Sequence, residues 1–289
     1  MKKILIGMRG GIGDIVLYSS VLIEFFRKHK DCEFICGTSL ACLGLAKSIP
    51  GFSTFIPDFR PRFVRQQRDG SFLYKDKRSG FRLDDIADYY CLDHPYRELD
   101  PVVARSTHII EVAAQILKVR GYSRKATVFL TEANRKYAIS ALEAYPRPIV
   151  VLAPTSAQKT KVPPNGLLNA IAESFKEAGF SILCAVPPDV SFSIEASRLS
   201  CSILDLAAVV SRSDYYVGLD SGVSHIASSF PVPMTTLHIG YPVARCGVLS
   251  DFANVMRFDD RNIPESEWPR IIEQINLHAG QNLNKLSVR

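Results

Sequence analysis

The chain has 289 residues, of which 47% are hydrophobic and 22% charged, and its formal net charge is +6. This balance excludes an intrinsically disordered protein, and the absence of any apolar run near 18 residues excludes a membrane-spanning helix. The length suits two modest domains or one large one.

The charge is uneven. Residues 1–147 hold 24 Lys/Arg against 16 Asp/Glu, whereas the remainder holds 11 against 13. Residues 58–82 alone carry Arg60, Arg62, Arg65, Arg68, Lys75, Lys77, Arg78 and Arg82 against Asp58, Asp69 and Asp76. Such a segment attracts phosphorylated glycans, acidic lipid headgroups or nucleic acid. The plain alternative is a solvated basic loop. The seven cysteines form no CxxC pair. Scattered thiols fit small buried residues in a reducing cytoplasm and argue for no metal site. Lys2 and Lys3 precede too short an apolar stretch to form a signal peptide, so a cytoplasmic location is expected.

Short apolar runs alternate with helical periodicity, which predicts an α/β fold. Strands are expected at 3–8, 33–37, 54–57 and 128–130, and helices at 12–30, 40–48, 102–119 and 132–144. The stretch 58–82 has no clear period and reads as a long loop or hairpin. The segment Tyr145-Pro-Arg-Pro148 breaks any helix and suits a linker, which divides the chain into 1–147 and 148–289. A second series follows, with strands at 149–153, 181–186, 215–218 and 234–239. Helices are expected at 165–178, at 204–211, directly after the strand at 215–218, and at 265–277. In open parallel sheets, ligands sit at the carboxyl ends of strands.

Three motifs lie at such ends. The first is GMRGGIGD, residues 7–14. Its glycines permit close backbone approach, and a helix N-terminus favours an anion, which suggests a phosphate cradle. The GxxxGIG spacing resembles the turn of short-chain NAD(P)-dependent reductases. Those enzymes pair a tyrosine with a lysine four residues on, and none of the eleven tyrosines here has one. Asp14 would also repel a pyrophosphate docked on that turn. The second motif is GLDSGVSHIA, residues 218–227. Asp220 sits at or near a helix N-cap, and Ser221 and Gly222 leave free N–H groups for an anion. His225 is either a core histidine or a group that orients a phosphate. The third is APTSAQKTKVPP, residues 153–164, whose Thr155, Lys159 and Lys161 precede a proline-started helix. A lysine there neutralises a diphosphate as a point charge. The ordinary reading is a surface lysine.

In this order the three motifs resemble glycosyltransferase family 9, the bacterial heptosyltransferases of lipopolysaccharide core assembly. GGIGDIVLYSSVLIEFFRKHKDCEF is similar to the family's amino-terminal block. KVPPNGLLNAIAESFKEAGFSILCAVPP and LDLAAVVSRSDYYVGLDSGVSHIASSFPVPMTTLHIG are similar to its donor-domain blocks. The resemblance implies the GT-B architecture, two facing Rossmann-like domains with the active site in an interdomain cleft. A last helix, here about 265–277, commonly crosses back to the first domain. It also implies an inverting, metal-independent transfer in which Asp14 is the general base. Lys161, favoured over Lys159, would hold the donor with Asp220, Ser221, Gly222, His225, Thr155 and Asp189. Arg9, Gly10, Gly11, Gly13, Arg60 and Arg62 would line the acceptor side. The implied partners are a nucleotide diphosphate sugar, with ADP among the options, and an anionic glycan or glycolipid at the inner face of a membrane. No nucleic acid and no cofactor are expected. A reductase and a non-catalytic nucleotide-sugar-binding protein are the alternatives.

Overall fold

In the computed structural model, which describes residues 1–93, 95–190 and 193–286, the chain divides into two compact units after Phe129. Each is built on a six-stranded sheet. Among the described residues no helix is long and apolar enough to cross a membrane.

The first unit begins with β1 (Lys2–Met8), α1 (Ile12–Lys28), β2 (Cys32–Thr38), α2 (Leu43–Ser48) and β3 (Phe52–Ile56). The run from Ile4 to Met8 is wholly buried, as a central parallel strand covered on both faces requires. On α1, Tyr18, Val21, Leu22 and Phe25 recur at helical spacing and are buried. A short hairpin follows, β4 (Val64–Gln66) and β5 (Phe72–Lys75), and then β6 (Arg82–Cys91). The strand order is β3-β2-β1-β6-β5-β4. The hairpin is antiparallel, while β6 runs parallel to β1.

Of the two forms expected at 58–82, a long loop or a hairpin, the chain takes the hairpin, with turns and loop around its two short strands, and β6 was not expected at all. Asp84, Asp85 and Asp88 hide the apolar period of β6. Its first residues pair with β5 and its last with β1. Asp85 absorbs the change with a φ of 59°, a conformation aspartate tolerates better than most residues. The helix expected at 102–119 is two helices, α3 (Pro101–Ser106) and α4 (Ile109–Ile116). Thr107 and His108 are extended, and the His108 ring caps α4 by accepting from the Ile110 N–H. No strand forms at 128–130.

The second unit contains α5 (Glu132–Leu142), β7 (Ile149–Ala153), α6 (Asn165–Glu177), β8 (Ser181–Ala185), β9 (Ser197–Leu199), α7 (Ile203–Val210) and β10 (Tyr215–Leu219). It continues through α8 (Gly222–Ala227), β11 (Met234–Ile239), α9 (Val243–Cys246), β12 (Ala253–Phe258) and α10 (Trp268–Leu286). The sheet is entirely parallel, ordered β12-β11-β10-β7-β8-β9. Its edge strands, the three-residue β9 and the six-residue β12, were not anticipated.

The proline-flanked stretch at 145–148 lies inside this unit and not at its border. Ala138 and Leu142 of α5 are buried in the same cluster as Ile149 and Val151 of β7, which ties the preceding helix to the second sheet. The final helix is longer than expected. Ile271, Ile275 and Ala279 pack on Leu167, Ile171 and Phe175 of α6. The Trp268 ring takes the space that Gly166 leaves open, since a Cβ there would come within 2.4 Å of it.

Candidate active site

The amino-terminal motif forms the turn from β1 into α1. Gly11 is the N-cap, and the Asp14 carboxylate, in the first helical turn, accepts the Gly11 N–H at 2.6 Å. A carboxylate there is favoured by the helix dipole. None of Gly10, Gly11 and Gly13 is among the residues with positive φ, so these glycines serve space and not backbone handedness. Gly10 supplies that space, because a Cβ there would lie 2.4 Å from Asp14 Oδ2. Gly7 has a different duty. The buried Phe59 ring lies across β1 and β2, and a Cβ on Gly7 or Gly37 would run into it at 2.5 or 2.4 Å. Below the turn, Tyr18 is fully buried and donates to the Leu92 carbonyl at 3.2 Å. Burial, and then Asp14, hold its hydroxyl well above the usual tyrosine pKa.

This geometry predicts that Gly10→Ala displaces the Asp14 carboxylate and loosens the start of α1. The expected loss is about 1–3 kcal/mol of stability, the usual range for overpacking, read from a denaturant titration. An alanine variant as stable as the parent would mean that the turn yields freely.

Arg9 is exposed at the end of β1. Arg60 donates to Asp58 at 2.9 Å, and this contact, with lesser help from Arg9 and Arg78, holds the Asp58 carboxyl below its ordinary range. Arg62 lies over the Phe63 ring at 5.2 Å. It opens onto a surface hollow of about 620 Å³ on the β4–β5 hairpin, lined also by Arg65, Lys75, Lys77 and Arg78. Among the described residues none of these five cations is in an ion pair.

In the second unit, Lys161 closes a short turn after β7 and is buried. Its ammonium meets Asp220 Oδ2 at 2.6 Å, and Asp220 is only 4% exposed. The Tyr241 ring lies 4.1 Å from the same ammonium. Asp220 was expected at or near the N-cap of the next helix; it directly precedes the N-cap, Ser221, and its carboxylate is spent on Lys161. The Ser221 hydroxyl is buried and caps nothing. Gly222 begins α8, and His225 is buried within it. Thr155 is half-buried in the loop after β7, where Ser156 donates to the Asp220 carbonyl at 3.3 Å. Lys159 is exposed. Asp189 is exposed on the loop after β8, which Arg198 clamps through the Pro187 and Val190 carbonyls. The fully buried His238, in β11, and Tyr241, two residues beyond its end, were missed; both are placed by that strand and not by a local motif. Among the described residues, no group of three or more His, Cys, Asp or Glu is placed to hold a metal ion.

The sequence matches the model of glycosyltransferase family 9 (heptosyltransferase) over residues 76–275, well over half of the chain. The chain belongs to glycosyltransferase family 9. Solved structures share its fold at low identity. A family 9 glycosyltransferase from Veillonella parvula superposes with a TM-score of 0.68 at 15% identity, covering 98% of this chain and 97% of its own. The E. coli ADP-heptose lipopolysaccharide heptosyltransferase II gives 0.70 at 14%, covering 97% and 99%. E. coli heptosyltransferase WaaC with ADP gives 0.66 at 13%, covering 96% and 99%. No curated protein matches the sequence. As a family 9 protein the chain is a glycosyltransferase of GT-B type with two Rossmann-like units, and the reductase suggested by the GxxxGIG spacing is set aside.

Proposed function

We propose that this family 9 protein is an inverting, metal-independent transferase. It moves a sugar, with heptose the first to test, from a nucleotide diphosphate to a hydroxyl of an anionic glycan or glycolipid. The observation that carries this reading is the setting of Asp14, a carboxylate at the carboxyl end of β1 that the Gly11 amide orients and Gly10 leaves room for. Asp14 takes the proton of the acceptor hydroxyl. The freed oxygen attacks the anomeric carbon, and the bond from that carbon to the diphosphate breaks on the opposite face with its electron pair. The configuration at that carbon therefore inverts.

The departing diphosphate gains charge, and Lys161 is the cation assigned to it, with the N–H groups of Ser221 and Gly222. Thr155 and His225 complete the phosphate side, and Asp189 is assigned to the ribose. Two of the similar structures are named for ADP or an ADP-sugar, so adenine is the base to try first. Arg9, Gly13, Arg60 and Arg62 are assigned to the acceptor. The unpaired cations of the hairpin support an acidic one, held at the inner face of a membrane if it is a glycolipid.

The test is a panel of ADP-, UDP- and GDP-sugars assayed for nucleotide release with and without glycolipid extract. The anomeric configuration of the product is read by NMR. Acceptor-dependent release of ADP with inversion is expected. Retention, or stabilisation by NAD(P)H and by no nucleoside diphosphate, would overturn the proposal. A charge-reversed hairpin, Arg65→Glu with Lys77→Glu, should raise the acceptor KM about 10-fold at low salt and flatten its salt dependence, as screened surface attraction does. An unchanged acceptor KM would remove the hairpin from the acceptor side.

A further inference from the structure

His238, next to last in β11, has no exposed surface, and among the described residues neither ring nitrogen has a hydrogen-bond partner. A buried polar atom left unsatisfied forfeits its hydration with nothing in return, so an imidazole orphaned on both sides calls for a reason. Its surroundings supply one. Strands β10 and β11 run in register, with Leu219 opposite Leu237, and the Asp220 N–H donates to the Leu237 carbonyl at 3.0 Å. The next rung sets Asp220 beside His238. The turn that carries Lys161 packs on the same strand. The ring thus sits next to the buried Lys161–Asp220 pair. Burial, aided by Lys161 and opposed by Asp220, pulls its pKa below the ordinary value, which keeps it neutral at pH 7.

We propose that His238 is the second partner of Asp220, a positioning residue whose ring N–H takes over the carboxylate when a bound diphosphate draws the Lys161 ammonium away. This rests on Lys161 being the donor cation. Lys161 cannot serve a diphosphate fully while its ammonium stays 2.6 Å from Asp220. Moving it alone would strand a carboxylate that is 4% exposed. A neutral imidazole has one N–H to give, and a bond from it to a carboxylate is charge-assisted. The exchange moves no proton. The ammonium goes from one anion to another, and a waiting donor fills its place.

The experiment uses the full chain labelled with ¹⁵N-histidine, ADP as the probe, and the variants His238→Leu, His238→Gln and Lys161→Met. In the parent, saturating ADP should move one His238 ring N–H resonance downfield. In Lys161→Met the resonance should already be moved without ADP, which tests the exchange independently of any donor. His238→Leu should melt no lower than the parent without ligand, because it removes an orphaned polar group. It should nevertheless bind ADP about 10-fold more weakly, the effect of one lost hydrogen bond to a charge. His238→Gln should bind within about 3-fold of the parent, since its amide restores that bond. A leucine variant that binds ADP as tightly as the parent would overturn the exchange, as would a ring resonance unmoved in both ADP-bound parent and Lys161→Met. A parent protein that binds no ADP, with the resonance still moved in Lys161→Met, would overturn the donor assignment of Lys161 and leave the His238–Asp220 contact standing.

Discussion

Asp14→Asn is expected to lower sugar transfer by about 10²–10⁴-fold, the range that general base catalysis supplies. Asparagine keeps the shape of the residue, and its amide oxygen can still accept the Gly11 N–H that Asp14 accepts at 2.6 Å. The stability effect should stay near the 0.3–1 kcal/mol or so that a charge contributes at a helix terminus. Asp14→Ala also loses the hydrogen bond at the start of α1, so it should cost about 0.5–2 kcal/mol as well as activity. Comparing the two separates capping from chemistry. Nucleotide binding, assigned to the other unit, should match the parent in both. The measurement is initial rate with parallel calorimetry of ADP binding, and an asparagine variant that transfers at the parental rate would end the assignment of Asp14 as the base.

Lys161→Met carries the largest expected effect on stability. Methionine keeps most of the apolar stem and removes the charge, leaving the buried Asp220 carboxylate without its 2.6 Å partner. Breaking one side of a buried pair costs about 3–5 kcal/mol, a large share of the 5–15 kcal/mol or so that holds a typical domain together. If His238 takes over the carboxylate, the single variant falls at the low end of that range and Lys161→Met with His238→Leu at the high end. Adding Asp220→Asn to Lys161→Met replaces the pair by two neutral groups and should return most of the lost stability. ADP binding should not return, because no cation is left for the diphosphate. A double-mutant cycle in thermal unfolding and calorimetry reads both quantities. A double variant that regains ADP affinity with its stability would show that Lys161 is a structural partner of Asp220 and nothing more.

The opening glycines illustrate how a motif's chemistry is sorted by contacts. By spacing alone they read as a phosphate cradle. Gly7 instead makes way for Phe59, and Gly10 makes way for a carboxylate, so two glycines of one motif answer to two different neighbours. Asp220 likewise reads as a residue at or near a helix N-cap from its place before Ser-Gly, and only the fold makes its carboxylate half of an ion pair with Lys161, 59 residues earlier. The strand β6 stayed invisible because three aspartates interrupt it, although it lies next to the central strand β1. The basic stretch at 58–82 could be read no further than a loop or hairpin, because the strands of its hairpin are three and four residues long, too short for a period to emerge.

From the sequence by itself came the two α/β series, the β1–α1 turn with Asp14 in its first helical turn, and the lysine loop and DSG turn of the second series. These are local properties, set within one strand and the helix after it by apolar period and glycine placement. Tertiary structure decided the border after Phe129, the partner of Lys161, the ring of Tyr241 over it and the seclusion of His238. Each depends on strands brought side by side by crossovers, so their neighbours are fixed by register and burial across tens of residues. A buried charge gives no sign in the sequence of which distant group will balance it.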